Sequence, residues 1–334
     1  MKVLLDVDHS FAWAHGGVQT IAENLLRLLP QFGVEVEPLR WWDAEQNGDL
    51  LHTFYMPRGV HLLAKKKGMK IVCNVFLDYL ASNGHLELTA KRLFIPAFKK
   101  VFRNYARELG WYFGQIADAV IFPSQYEMIL GKRLFGVSRE KSHVILHGVS
   151  QNCLDQGQSL ERGDFLLSLG TIHKRKNSVL LAELARELRI PMVFAGRPYA
   201  EDVYFNEFRS LVDGEHVIYK GFVDEETKLE LLRRAKGFIS LSLIESGCIA
   251  VLEALACGCP VLLPSLPWAQ SIYKEYATFG DMKNKKKLKR QIDAFYRQPG
   301  GNLKPFPILS WKDVAAAYLA VYEKALAASG VSGR

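Results

Sequence analysis

The stretch Glu245-Ser-Gly-Cys-Ile-Ala-Val-Leu-Glu253 runs on through Ala254-Leu-Ala-Cys-Gly258 into Pro260-Val-Leu-Leu263, and it decides the reading of this chain. Two carboxylates stand eight residues apart around a glycine turn that opens a helix, and an apolar strand follows. The first-turn amides at Gly247, Cys248 and Ile249 have no intrahelical acceptor, and the helix dipole adds positive charge there. That makes a seat for phosphate. Glu245 lies just before the seat and Glu253 about two turns beyond it. A ligand with sugar hydroxyls on both sides of a diphosphate, such as a nucleotide-sugar, would engage all three features. On their own, two glutamates at this spacing also read as the solvated face of a helix.

Composition sets the frame. The 334 residues have the length of two ordinary domains. Hydrophobic residues make up 49% and mean hydropathy is near zero, so each half can bury a core. No apolar run reaches the roughly 18 residues that a membrane-spanning helix needs. The opening Met-Lys-Val-Leu-Leu-Asp6 meets an acid after three apolar residues and reads as a first strand rather than a signal peptide. Cys73, Cys153, Cys248, Cys257 and Cys259 form no paired framework, which points to reduced thiols and a cytoplasmic protein. Cys257-Gly-Cys259 has no second Cys or His pair at ligand spacing, so no metal is expected. The net charge of +8 gathers at Lys65-Lys-Lys67, from Lys91 to Arg107, and from Lys283 to Arg290. No nucleic-acid module accompanies it, so nucleic acid is not an expected partner, whereas an anionic membrane surface is.

Short β-branched runs alternate with helical patterns, the signature of parallel α/β sheets. Strands are expected at Val3–Val7, Val34–Leu39, Leu50–Phe54, Ile71–Phe76 and Ala119–Phe122, with a helix over Gln19–Leu29 and a strand-like Val144-Ile-Leu146. The polar run from Ser150 to Ser159 reads as a linker. Alternation restarts with strands at Phe165–Leu169, Met192–Ala195, His216–Tyr219, Gly237–Leu241 and Val261–Leu263. Between them fit helices at Ser178–Leu188, Val203–Leu211, Glu225–Ala235 and Ile249–Ala256. Ser310-Trp-Lys-Asp313 has the form of a capping box and opens a helix over Val314–Ala327.

Ser242-Leu-Ile-Glu-Ser-Gly247, followed by Val251-Leu-Glu-Ala-Leu-Ala-Cys-Gly-Cys-Pro-Val261, resembles the Glu-x7-Glu signature of retaining GT-B glycosyltransferases of the family 4 type. The resemblance implies an α/β chain of two facing Rossmann-like domains with a central cleft. Residues 1–155, completed by a C-terminal helix over 311–330, would form the acceptor side, and residues 160–310 would bind the nucleotide-sugar. It further implies that Glu245 contacts the transferred sugar and Glu253 holds the ribose hydroxyls. Where the family usually reads Glu-Gly-Phe-Gly-Leu-Pro, this chain reads Glu-Ser-Gly-Cys-Ile-Ala, so the wall facing the sugar is altered.

Other landmarks follow in order. His15-Gly-Gly-Val18 lacks the dinucleotide spacing Gly-x-Gly-x-x-Gly. It is similar to the family's glycine-rich first loop, in which Gly16 and Gly17 would approach the donor diphosphate and His15 the acceptor. Lys174-Arg-Lys-Asn177 resembles the family's Arg-Lys-Asn element, whose basic residues neutralise the diphosphate, here Arg175 and Lys176. Fixed cations of this kind stabilise the charge that grows on a leaving diphosphate. The resemblance therefore implies a reaction with no divalent metal and no cofactor. Asp6-Val-Asp8 has the Asp-x-Asp form that holds metal in GT-A enzymes, but it ends the first strand of a chain patterned as GT-B. It reads as structural, or as an acceptor-side contact through Asp8 or His9. Ala117 to Ser124 and Val144 to Val149 are similar to the last strands of the first domain. Lys220-Gly-Phe-Val223 resembles the loop that flanks the nucleobase, through Gly221 and Phe222. Phe76 stands where the family commonly has a sugar-placing His, which leaves Asp78 and His85 as acceptor-side candidates.

From Leu88 to Phe113, basic residues interleave with aromatic and aliphatic ones, and Pro96 interrupts the helical pattern. The segment reads either as a membrane-interface helix or as a core-packed helix with a solvated face. The resemblance implies a retaining hexosyltransferase that draws on a UDP-, GDP- or ADP-sugar. The basic charge adds the expectation of an acceptor hydroxyl on a cell-envelope glycan or glycolipid, met in the cytoplasm or at the inner face of the membrane. Two alternatives stand beside it: a non-catalytic GT-B-like protein that binds nucleotide or glycan, and a GT-B phosphorylase or epimerase.

Overall fold

The computed structural model describes residues 1–7, 16–155, 161–199, 202–300 and 303–328. The chain divides into two compact units, residues 1–148 with 311–334 and residues 149–310. His15, Asp8, His9 and the end of the linker run lie outside the described residues.

In the first unit six strands form one parallel sheet. They are β1 (Lys2–Asp6), β2 (Glu35–Pro38), β3 (Leu50–Thr53), β4 (Lys70–Asn74), β5 (Ala119–Phe122) and β6 (Ser142–Val144), in the order β2-β1-β3-β4-β5-β6. β1, β3, β4 and β5 are almost wholly buried, which explains why their sequences read as apolar runs and not as alternation. The connecting helices are α1 (Gly17–Leu28), α2 (Leu62–Lys66), α3 (Asp78–Ala81), α4 (His85–Val101), α5 (Arg103–Glu108), α6 (Phe113–Ile116) and α7 (Gln125–Phe135). Ile21, Ala22, Leu25 and Leu28 give α1 its buried stripe. Pro96 does not end α4, which continues to Val101 and gives way to α5 across Phe102. Proline removes one helical N–H and crowds the preceding turn; Ile95, buried beside it, and Phe98, ringed by Phe94, Phe102 and Trp111, hold the helix together across that gap.

The second unit repeats the architecture with β7 (Leu166–Leu169), β8 (Met192–Ala195), β9 (Val217–Tyr219), β10 (Gly237–Ile239), β11 (Val261–Pro264) and β12 (Thr278–Gly280), in the order β12-β11-β10-β7-β8-β9. Its helices are α8 (Gln151–Leu154), α9 (Ser178–Leu188), α10 (Val203–Ser210), α11 (Glu225–Arg234), α12 (Ile249–Ala256), α13 (Pro267–Tyr273) and α14 (Lys285–Arg297). Four elements of this unit, α8, α13, β12 and α14, are absent from the sequence-based expectation, and α8 lies in the run read as a linker. β12 is a three-residue edge strand, and α14 hides a buried stripe of Leu288, Ile292 and Phe295 among Lys and Arg.

The last helix, α15 (Trp311–Ala327), begins three residues ahead of the expected Val314 and packs on the first unit against α1 and β4. It closes a buried polar network there. Tyr322 Oη lies 2.7 Å from His52 Nδ1, His52 Nε2 lies 3.2 Å from Asn74 Oδ1, and Asn74 donates to Tyr318. Burial holds the His52 imidazole neutral, pushing its pKa down to about 4 although Asn74 opposes the shift.

Candidate functional site

Ligands of open parallel sheets bind beyond the carboxyl ends of the strands, where the strand order reverses. In the second unit the order reverses between β7 and β10. The loop after β7 carries Lys174, Arg175 and Lys176 in one tight turn, and the loop after β10 carries Glu245. The first turn is capped by His173, whose Nδ1 accepts from Arg175 N at 3.2 Å. Asn177, at φ 59°, then redirects the chain into α9. Asn tolerates this left-handed conformation better than most residues.

The two loops are stitched together by backbone and side chain. Leu243 N donates to the Arg175 carbonyl at 2.8 Å, and Arg175 Nη1 donates to the Ile244 carbonyl at 2.6 Å. Glu245 is 7% exposed and is gripped from three sides. Lys176 Nζ donates to its Oε1, Ser242 Oγ donates to the same oxygen at 2.7 Å, and Arg175 Nη1 lies 3.4 Å from its Oε2. Burial by itself would raise the Glu245 pKa, but the Lys176 and Arg175 charges outweigh it and hold the carboxyl below its ordinary value. Lys176 responds in the mirror sense: burial would lower its pKa, and Glu245 raises it. The loop after β8 is fixed against this turn, because a Cβ at Gly196 would fall 2.0 Å from the Gly170 carbonyl oxygen. Only glycine fits there.

Gly247, at φ 70°, turns the chain into α12, with Cys248 as N-cap and Ile249 as first residue. The Cys248 side chain makes no capping hydrogen bond. The first-turn amides of α12 keep the orientation that suits an anion. Tyr273 is fully buried, and its hydroxyl has no hydrogen-bond partner among the described residues. Burial raises its pKa well above the ordinary value, and Cys248 and Glu245 add to the effect.

Glu253, 8% exposed on α12, meets a different partner. Lys228 of α11 donates to its Oε1 at 2.6 Å and also pairs with Glu225 at 2.7 Å. Burial raises the Glu253 pKa, and Lys228 only partly opposes it. Among the described residues Cys153, Glu225 and Glu253 bring one ligand atom each within 4.8 Å of one another. The Lys228 ammonium already bonds two of the three.

Gly221 and Phe222 follow β9 at the same end of the sheet, where the Gly221 carbonyl accepts from Gly196 N at 2.7 Å. Phe222 is 64% exposed, and the Arg197 guanidinium lies 4.3 Å from its ring centroid. The pair offers a flat face of the kind that stacks on a base. Four loops, after β7, β8, β9 and β10, thus gather cations, carboxylates and an aromatic plate along one sheet edge. Lys228 and Arg197 escaped the sequence reading, because each meets its partner, Glu253 or Phe222, 25 residues away with no fixed spacing.

The first-unit candidates are dispersed. Gly16 has extended backbone and is the N-cap of α1, and Gly17 is its first residue. Asp78 opens α3, with Tyr79 N donating to its Oδ1 at 2.8 Å, and His85 is an exposed first residue of α4. The ring found packed beside Phe76 is that of His147, at 6.4 Å between centroids, a residue read from sequence only as a strand landmark. Asp6 is buried, where Tyr55 donates to its Oδ2 and His61 Nε2 lies 3.3 Å from the same oxygen.

Residues 153–304 match the family model described as glycosyl transferases group 1. No curated protein sequence matches the chain. Solved structures resemble it over nearly its whole length. Sucrose-phosphate synthase from Thermosynechococcus elongatus is 15% identical with a TM-score of 0.72, covering 98% of this chain and 100% of its own. AviGT4, a glycosyltransferase involved in avilamycin A biosynthesis, is 17% identical with a TM-score of 0.62 over 98% of each chain. Anabaena HepE, solved with UDP and glucose, is 14% identical with a TM-score of 0.62, covering 98% of this chain and 99% of its own. At these identities the likeness is one of fold, and the fold is GT-B.

Proposed function

We propose that the protein is a retaining hexosyltransferase that moves a sugar from a nucleotide diphosphate to a hydroxyl acceptor. The observation that carries this reading is the Arg175–Lys176 turn closed on Glu245 at the strand-order reversal, beside the start of α12. The diphosphate sits against the Gly247–Ile249 amides and competes with Glu245 for the two cations. Its arrival frees the Glu245 carboxylate to take hydroxyls of the transferred sugar. Glu253 holds the ribose, and Phe222 flanks the base. The anomeric carbon–oxygen bond to the diphosphate breaks, and a bond to the acceptor oxygen forms. The acceptor's hydroxyl proton passes to the departing phosphate. Negative charge grows on that phosphate, and preorganised cations stabilise it. Arg175 and Lys176 fill the place a divalent metal takes in other transferases.

The acceptor is a cell-envelope glycan or glycolipid, met on the cytoplasmic side; the basic balance of the chain supports this. Thermal unfolding with UDP-, GDP- and ADP-sugars tests the donor site. A donor at about 100 times its dissociation constant adds about 2.7 kcal/mol. One nucleotide class raises the melting temperature of the wild type and not of Arg175→Ala/Lys176→Ala. Stabilisation by no donor would turn the reading toward a non-catalytic relative of the fold. Stabilisation with free phosphate turnover, or with an epimerised nucleotide-sugar, would turn it toward a phosphorylase or an epimerase.

A further inference from the structure

α4 is built inside out. Leu86, Leu93, Phe94 and Val101 fall at i, i+7, i+8 and i+15, which is one stripe of a helix. They are 85%, 75%, 56% and 71% exposed, while the helix's buried residue, Ile95, lies on the opposite side. α5 and its flanks continue the surface with exposed Phe102, Tyr105 and Leu109. The turn at Gly59 abuts it, because a Cβ there would come 3.2 Å from Arg107 Cδ, and Val60 and Leu63 beside that turn are exposed as well. Phe98 anchors the stripe through ring contacts with Phe94, Phe102 and Trp111, so the face is backed by packed aromatics. An apolar surface this continuous marks an interaction site.

Charge says what covers it. From His85 to Leu109 the chain carries six Lys and Arg against two carboxylates, Glu87 and Glu108. Glu87 is turned back to accept from Gly84 N. Lys91, Arg92, Lys100, Arg103 and Arg107 form no ion pair with any described residue. Unpaired cations along an exposed apolar stripe complement anionic headgroups over acyl chains, and long basic side chains can reach the headgroups while their stems stay apolar. No helix among the described residues is long and apolar enough to cross a membrane, so the helix would lie in the interface.

We propose that α4, α5 and the Gly59–Leu63 turn form a docking face for an anionic lipid bilayer. The proposal stands apart from the transfer chemistry, and its test needs no donor. The full chain is sedimented with vesicles of phosphatidylcholine alone and with vesicles holding about a third phosphatidylglycerol. The wild type pellets with the anionic vesicles only, and salt weakens the binding. Leu93→Ser/Phe94→Ser and Lys100→Glu/Arg103→Glu each lose about tenfold or more in affinity, since each basic contact near such a surface is worth about fivefold. The four side chains replaced, Leu93, Phe94, Lys100 and Arg103, all face solvent, so melting temperatures stay at the wild-type value. Wild type remaining in solution with anionic vesicles at low salt overturns the proposal, as does undiminished binding by both variants. A dimer dissolved by Leu93→Ser/Phe94→Ser, without vesicle binding, would assign the face to a second copy of the chain instead.

Discussion

Glu245 and Glu253 are equally buried, eight residues apart in one motif, and they respond to burial in opposite ways. Glu245 faces two cations and a hydroxyl, and its pKa falls. Glu253 faces one cation that it shares with Glu225, and its pKa rises. Desolvation disfavours the ionised form at both sites, so the number of undivided counter-charges decides the sign. The contrast also separates their proposed roles. A carboxylate held ionised, beside cations that a phosphate can claim, suits the reacting end of a donor. One poised nearer neutrality suits hydrogen bonding to a ribose.

The sharpest way to break this contrast is to remove the cation from the stronger pair. Lys176→Met leaves Glu245 with Arg175 alone and should cost about 3–5 kcal/mol in denaturant unfolding, as breaking a buried ion pair does. Adding Glu245→Gln should recover most of the loss; no recovery would mean that the lysine's packing, and not its charge, supports the loop. Arg175→Ala leaves the Lys176 pair intact and acts on turnover instead. Its expected loss is about a hundred- to a thousandfold in kcat, read in a transfer assay with the donor that thermal shift identifies. A change in KM alone would remove Arg175 from the reacting end.

A third buried group, His52 in the other unit, has no counter-charge among the described residues, so it sharpens the rule. Its folded pKa of about 4 lies below that of an unfolded histidine. Its contribution to stability is therefore full above about pH 6.5 and is lost as pH falls from there toward 4, amounting to about 3 kcal/mol. His52→Gln should flatten unfolding free energy across that window. A window unchanged in the variant would show that another group sets the acid limb. The smallest effect is expected at the weaker pair. Lys228→Met should cost about 1–3 kcal/mol, because Glu253 can take up a proton in place of its partner. The two glutamates should also tilt stability oppositely with pH. The Glu245 contribution is lost as pH falls through its lowered pKa, and that of Glu253 as pH rises through its raised one. Unfolding measured against pH for Glu245→Gln and Glu253→Gln checks both slopes.

The strands were legible because buried parallel strands read as apolar runs, as Ala119–Phe122 and Met192–Ala195 do. Elements whose pattern is masked were not. α14 presents Lys285-Lys-Lys-Leu-Lys-Arg290, so its three core residues disappear among charges. The site was legible where chemistry follows the chain: Arg175, Lys176, Glu245 and Glu253 sit in strand-to-helix loops or just after one. Lys228, 25 residues from Glu253 and on another helix, could be found only by folding the chain. His147 beside Phe76 is the same case. The exposed side of α4 was left open for a plainer reason. Helical spacing tells which residues share a face and is silent on whether that face looks inward or outward.

The network of His52, Asn74, Tyr318 and Tyr322 joins the third and fourth strands of the chain to its last helix. On the ribosome, β3 and β4 emerge long before α15 is made, and until it arrives His52 and Asn74 have no tyrosines to bond. Residues 149–310 carry their own sheet and core and can settle first. The unit that begins synthesis is the one that finishes folding. A chain ended at Ser310 would carry the whole second unit and a first unit without its closing helix.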